Sequence, residues 1–218
     1  MPQNNVKSFY ENFYFESMIT NPPKLIQDFL DGEIKFIREH IKPNKTVLEV
    51  GSGYGRLLSV LSEKAAKVVG IDFSKRMVKL AKERLADKKN VEICLMDANR
   101  LNFEENTFDY VVCLDNSFGN MPNIELDVLK EMVKVCKIGG EVIISVFSEN
   151  ASPVQIENYQ RIGLTNITDD GTAIHTQEGF YSRRFTKQEL TELFDKCRLE
   201  CKIIKICTVN YVAYVIKN

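Results

Sequence analysis

Residues 47–58, VLEVGSGYGRLL, constrain the fold more than any other stretch of the chain. The apolar run Val47-Leu48-Glu49-Val50 leads straight into Gly51-Ser52-Gly53-Tyr54-Gly55, and apolar residues at helical spacing follow at Leu57, Leu58 and Leu61. Strand, glycine turn and helix start, in that order, form a cradle of the nucleotide-binding type. Glycine is needed because the backbone must turn tightly and come close to a ligand with no Cβ in the way. A dinucleotide fingerprint has its third Gly, or an Ala, three residues after the second. Here that position is Arg56 and the third glycine is Gly55, so the spacing departs from that fingerprint.

The rhythm around the loop predicts an α/β fold. Strands are expected at 46–50, 67–71, 91–96, 108–114 and 141–147. Helices are expected at 55–64, at 74–87 with Ser74 as N-cap, and at 124–136, closed by Gly139-Gly140. Such alternation implies a doubly wound, mostly parallel sheet with helices on both faces. The tail breaks the pattern. Thr186-Lys187-Gln188-Glu189 is a capping box opening a helix to about residue 196. Runs 199–208 and 211–217, with a short turn near Asn210, permit only an antiparallel pair. A seven-stranded sheet ending in an antiparallel hairpin strand is therefore expected. Before the core, a helix begins after Pro22-Pro23 with Ile26, Leu30, Ile34, Ile37 and Ile41 at three-to-four spacing. Between core and tail, 150–185 reads as a helix near 154–161 and two extended pieces around Gly179.

Composition excludes several function classes. The net charge of −1 over 218 residues gives no global field for nucleic acid or an anionic membrane; only a local basic patch, as near Arg183-Arg184, is left. No stretch approaches the ~18 apolar residues of a membrane span, and MPQNNVKSFYENFYF has no apolar signal core. Of six cysteines, Cys94, Cys113 and Cys207 lie in apolar strand-like runs, and no C-x-x-C pair exists. Cys197 and Cys201 have no histidine or further cysteine near them to complete a metal set. A reduced, cytoplasmic protein without a metal is expected; oligomeric state stays open.

Two acids follow the glycine loop at strand ends. Val68-Val69-Gly70-Ile71-Asp72 ends in Asp72, 21 residues beyond Gly51, where a carboxylate can accept from ribose hydroxyls. Met96-Asp97-Ala98 offers a carboxylate for an adenine amino group, with Ala98 leaving room for a ring. The fourth strand ends in Leu114-Asp115-Asn116-Ser117-Phe118-Gly119-Asn120. These ends should open on one crevice at the carboxyl edge of the sheet.

With these pieces in place, residues 45–147 resemble the class I S-adenosylmethionine-dependent methyltransferases, through VLEVGSGYGRLL, VVGIDFS, LMDANRL, FDYVVCLDNSFGN and KIGGEVIISVF. The shifted third glycine and the antiparallel ending agree. The resemblance implies a Rossmann-like methyltransferase fold with S-adenosylmethionine as cofactor. It implies Glu49, Gly51, Gly53 and Gly55 at the methionyl end, Asp72 at the ribose, Asp97 and Ala98 at the adenine, Phe73 and Met77 beside the nucleoside, and Asp115 near the methyl group. Arg56 could reach a carboxylate, the cofactor's among them. It also implies four regions: an N-terminal helical lid (1–42), the cofactor core (43–148), an insertion over the acceptor (149–185), and a tail completing the sheet (186–218).

The acceptor is less legible. The Asn-Ser-Phe after Asp115 lacks the prolines of DNA amino methylases and is similar to small-molecule N-methyltransferases of the glycine/sarcosine type. A small-molecule acceptor follows, nitrogen slightly before oxygen, since a neutral amine needs little base. Catalytic candidates are His175, Asp115, Asn116 and Tyr10; Tyr14, Phe118, Tyr181 and Arg183 are candidates for holding the acceptor. Two other readings stay open at this point: a cofactor-binding module without turnover, and an NAD-dependent oxidoreductase.

Overall fold

The structure is a computed structural model that describes residues 3–13 and 16–218. Five parallel strands, β1 (Thr46–Val50), β2 (Lys67–Asp72), β3 (Val91–Leu95), β4 (Phe108–Cys113) and β5 (Cys136–Ser148), lie in the order β3-β2-β1-β4-β5. Beyond β5 come β10 (Asn210–Ile216), antiparallel to it, and then β9 (Lys202–Ile204). These seven strands are the expected doubly wound sheet with its antiparallel ending. The chain leaves β1 in opposite directions towards β2 and β4, so the crevice of an open α/β sheet falls at the carboxyl end of β1.

Alternation along the strands feeds two cores. Leu48, Val50, Val111 and Cys113 face α6 (Glu125–Val135) and α8 (Lys187–Asp195) through Leu129, Met132, Leu190 and Phe194. Val47, Tyr110 and Val112 face the other way, onto α3 (Lys24–His40), α4 (Arg56–Leu61) and α5 (Lys75–Arg84). Strands buried on both faces read as continuous apolar runs, as β1 and β4 do. His40 ends α3 and joins it to β5 through Glu141, 2.6 Å away.

Several expected boundaries move, each for a local reason. Gly139-Gly140 does not close α6. The helix ends at Val135, and both glycines lie in a bulge of β5, where the register jumps from Phe108↔Cys136 to Tyr110↔Glu141. Gly139 has φ +75°, and a Cβ on Gly140 would stand 2.7 Å from the Asp109 carbonyl oxygen. The run 199–208 pairs only over Lys202–Ile204, because Ile206 turns away to pack on Gly32 of α3, where no Cβ would fit. The insertion adds strands of its own. After α7 (Ser152–Arg161), β6 (Thr168–Asp169), β7 (Ala173–His175) and β8 (Tyr181–Phe185) form an antiparallel set. Its β8 pairs in parallel with Phe147 and Ser148 of β5, past the point where β4 ends. This extends the sheet over the carboxyl edge.

The N-terminal segment supplies α1 (Gln3–Asn12) and α2 (Glu16–Ile19). All six cysteines are free. Among the described residues, no helix is long and apolar enough to cross a membrane.

Candidate functional site

The glycine corner is laced to the end of β2. The N–H groups of Gly51 and Ser52 both donate to the Ile71 carbonyl at 2.9 Å. The Gly53 N–H donates to Asp72 Oδ2 at 2.9 Å, and the Ser74 N–H to Asp72 Oδ1 at 2.8 Å. Gly51, Gly53 and Gly55 have φ of +74°, +53° and +85°, which an L side chain rarely adopts. A Cβ on Gly51 would lie 2.9 Å from Ser117 Cβ, whereas one on Gly53 would meet nothing within 4 Å. Open space therefore lies directly against the backbone at Gly53. Asp72 is 9% exposed, and burial pushes its carboxyl up to about 6 against the opposing pull of the Ser74 and Gly53 N–H groups.

Beneath the corner, three carboxylates surround one guanidinium. Arg56 donates to Asp115 Oδ2 at 2.9 Å and to Glu33 Oε2 at 3.2 Å, while Glu33 Oε1 accepts from the Asp115 N–H at 2.7 Å. Glu33 has no exposed surface; burial and the Asp115 charge push its carboxyl up to about 7, with Arg56 opposing. Burial also lifts Glu49 well above the usual carboxylate range, although Arg56 pulls it down. Its Oε2 is buried without a hydrogen-bond partner. Burial works against the charge of Arg56, and Asp115 and Glu33 more than restore it.

Raised carboxyl values have a consequence for stability. Folded Asp72 and Glu33 bind protons more tightly than the unfolded chain does, so their contribution is full below about pH 4 and is lost as pH rises through 6 and 7. Asp109, held below the usual range by Thr46 and by Lys137 and Lys45 despite its burial, acts oppositely: its contribution fades below about pH 4. The ligand-free chain should therefore be more stable to urea at pH 5 than at pH 8, with a limiting slope of about 1.4 kcal/mol per pH unit for each group. Unfolding curves across that range check this; rising stability towards pH 8 would contradict it.

Two cavities meet here. The outer one, about 150 Å³, is bounded by Glu49, Gly51, Gly53, Asp72, Asp115 and Tyr10, with Arg56, Phe73 and Met77 also at its wall. It is smaller than the ~300–1,000 Å³ usual for ligand clefts because Tyr10 of α1 closes it, its hydroxyl donating to the Tyr181 carbonyl at 3.1 Å. The inner one, about 50 Å³, lies between Ile26, Phe29, Phe147, Asn158, Tyr159 and Phe180. Met18, Ile19, Asp115 and Asn120 border both. The lining of the outer cavity, though not its volume as closed, matches the polar groups of a nucleoside bearing an amino-acid tail. The partnerless Glu49 oxygen suits an ammonium, Asp72 suits hydroxyl groups, and the open space at Gly53 admits close approach.

The remaining sequence candidates divide. Asp97 lines a separate surface cleft with Lys7 and Phe73, and pairs with Lys7 at 2.5 Å; Phe73 is the wall the two spaces share. Ala98 is half-buried against the β3–β4 side of the core. Arg56 is committed to protein carboxylates. Asn116 does not present its amide to a ligand as a catalytic group would: the side chain accepts from the Phe147 N–H and donates to Asn120 and Ser182, tying β4 to β5 and β8. Phe118 is fully buried against Phe185 and lines neither cavity. His175 stands at the insertion surface 3.8 Å from Asp170 and lines neither. Arg183 points outward, bridging Glu125 and Glu189 at 2.9 and 2.8 Å. Tyr181 reaches the site only through its carbonyl. On β8 the inward face is Ser182 and Arg184 instead, both nearly fully buried, so Arg183-Arg184 makes no basic patch. Tyr14 lies outside the described residues. Glu33 was missed, yet it occupies the stripe position between Leu30 and Ile37, where a charge on an apolar face is itself a signal.

Sheet order, antiparallel ending, glycine corner and the buried acid at the end of β2 define a Rossmann-like fold. Residues 47–140 match the family described as "Methyltransferase domain". Demethylmenaquinone methyltransferase of Staphylococcus aureus (strain MRSA252) is 37% identical over 124 residues, 55% of this chain and 50% of that protein. The chain thus spans about half the length of the curated relatives it matches. Among solved structures, the PH0226 protein of Pyrococcus horikoshii OT3 superposes with a TM-score of 0.75 at 23% identity, covering 97% of this chain and 99% of that one. The 1,6-didemethyltoxoflavin-N1-methyltransferase of Burkholderia thailandensis gives 0.70 at 16%, covering 99% and 88%. Both share the fold. The match to the methyltransferase family is confined to residues 47–140, and the likeness to the solved structures is one of fold.

Proposed function

We propose that this chain transfers a methyl group from S-adenosylmethionine to a small-molecule acceptor seated in the inner cavity. The observation that carries the reading is the junction itself: the space at the glycine corner and a second space with Ile26, Phe29, Phe147 and Phe180 and several polar side chains in its wall share Asp115, Met18, Ile19 and Asn120. In this reading Glu49 takes the ammonium, the amides of Gly51–Gly55 face the tail, and Asp72 accepts from the ribose. Phe73 and Met77 flank the nucleoside, with Asp97 and Ala98 beyond at the adenine edge. When bound, the cofactor supplies an already activated methyl on sulfur, so the chain's work is alignment and exclusion of water. Tyr10, Met18 and Ile19, from the N-terminal region 1–42, roof the site; the insertion 149–185 encloses the acceptor side, between the core 43–148 and the tail 186–218.

Nitrogen is favoured over oxygen as the accepting atom, since a neutral amine needs little base and neither cavity is lined by histidine among the described residues. Six free cysteines suit a reducing cytoplasm. Calorimetry with S-adenosylmethionine and S-adenosylhomocysteine, followed by detection of S-adenosylhomocysteine release across pools of amine and hydroxyl metabolites, tests the proposal. Binding with acceptor-dependent release is expected. Binding without release from any pool would favour a non-catalytic module; no binding would remove the reading.

A further inference from the structure

The walls of the two cavities are unequal in charge. Among the described residues that line either one, the acids are Glu49, Asp72 and Asp115, and the one cation is Arg56. Arg56 is already engaged: its Nη2 donates to Asp115 Oδ2 at 2.9 Å and to Glu33 Oε2 at 3.2 Å. Two carboxylates therefore share one guanidinium, and the trio carries an excess negative charge once Glu33 is ionised. Arg183 bridges Glu125 and Glu189, Arg184 pairs with Asp169, and neither lines a cavity. An acceptor with a carboxylate, as in glycine, would be buried here with no cation to meet it, which is costly.

Asp115 presents the opposite opportunity. It borders both cavities, and its side chain keeps 39% of its surface open. Its Oδ2 is held by Arg56 and its N–H by Glu33 Oε1 at 2.7 Å, whereas its Oδ1 has no hydrogen-bond partner among the described residues. An ionised carboxylate oxygen only accepts. The backbone around it is held in an uncommon shape: Asp115 and Asn116 have φ of +52° and +55°. Glu33 of α3 fixes the first through its N–H, and the Phe147 N–H fixes the second through Asn116 Oδ1. Space limits what can reach this oxygen from the inner side. A cavity of about 50 Å³ admits about three or four non-hydrogen atoms.

We propose that Asp115 selects the acceptor by charge: its free oxygen accepts from the nitrogen of a short aliphatic amine that bears no carboxylate. This deepens the methyltransferase reading and rests on it. The amine follows from an unpartnered anionic oxygen at the junction, the missing carboxylate from the absence of a free cation in either lining, and the short chain from the volume of the inner cavity.

Ethylammonium chloride, ethanol and sodium acetate, alike in size but differing in charge, serve as probes of the full chain at pH 8 and fixed ionic strength. At that pH Glu33, which burial pushes up to about 7, is ionised. Titrations are run with and without saturating S-adenosylhomocysteine, which in this reading engages Glu49 and Asp72 and leaves Asp115 to the probe. Aspartate labelled with carbon-13 at Cγ reports binding through the assigned Asp115 resonance. Ethylammonium should move it and bind about ten-fold more tightly than ethanol, and acetate should not bind. Asp115→Asn keeps a side chain that tolerates positive φ but replaces one acceptor oxygen with a donor. In that variant the preference for ethylammonium, read from backbone amide shifts, should fall to about one. Should the variant fail to fold, the wild-type resonance decides alone. An unmoved Asp115 resonance, ethanol or acetate binding as tightly as ethylammonium, no binding of ethylammonium at millimolar concentration, or a preference that survives Asp115→Asn would each overturn the proposal. Failure of S-adenosylhomocysteine to bind would strike the methyltransferase reading instead, while the Asp115 resonance in the ligand-free chain still judges the amine.

Discussion

Arg56→Met should destabilise the chain by about 3–5 kcal/mol in urea at pH 7.5, the range for removing one member of a buried ion pair. The reason is the company Arg56 keeps. Glu33 is fully buried, Glu49 is nearly so, and Asp115 shares the guanidinium with Glu33. Methionine approximates the volume of the arginine stem but leaves the acids without the cation that opposes their burial. The loss should shrink at pH 5, where carboxyls that burial already holds up near 7, as at Glu33, take up protons and no longer need a counter-charge. Adding Glu33→Gln to Arg56→Met should recover part of the loss at pH 7.5, because the two groups touch and their effects do not add. A loss below ~1 kcal/mol, equal at both pH values, would mean that the cluster is solvated enough for the arginine to be dispensable.

Sequence legibility followed the range of the interactions. The three βα corners were readable because each is local. An apolar strand, a glycine that must take positive φ at Gly51, Gly53 and Gly55, and an acid at the strand end at Asp72 are all set by residues next to one another. The acceptor side was not readable, because it is assembled across the chain. On β8 both faces carry polar residues, so alternation alone does not say which points inward. Burial of Ser182 and Arg184 is decided by α7 and by Asp169, which lie far along the chain. Asn116 looked free to act because its partners, the Phe147 N–H and Ser182, come from two other strands. Phe118, next to the crevice in sequence, turns into the core as the chain passes through two left-handed residues, Asp115 and Asn116. Glu33 was legible in principle: Ile26, Leu30, Glu33, Ile37 and Ile41 share one stripe, and a carboxylate there demands a partner.

Asp72→Ala should weaken S-adenosylmethionine binding by about 1–3 kcal/mol, roughly 5- to 150-fold, as expected for the loss of hydrogen bonds to a charged group. Asp72 suits this role because its position is set before any ligand arrives: one oxygen is held by the Gly53 N–H and the other by the Ser74 N–H, which leaves lone pairs on both. The acid also explains a pH effect. With its carboxyl held up to about 6 in the ligand-free chain, protonation below that value removes the charged acceptor, so wild-type affinity should fall as pH drops from 7 to 5. Other buried acids, Glu33 and Glu49 above all, titrate too, so the informative quantity is the difference between the wild-type and Asp72→Ala profiles, which should close as Asp72 becomes neutral. Asp97→Ala supplies the contrast. Its carboxylate is already paired to Lys7 in a neighbouring cleft, so the expected loss is smaller and its pH profile should parallel wild type. Calorimetric titrations at half-unit pH steps for the three proteins would test this. Affinities within two-fold of one another, with superimposable profiles, would show that the acid at the end of β2 serves only to hold the glycine corner and cap α5.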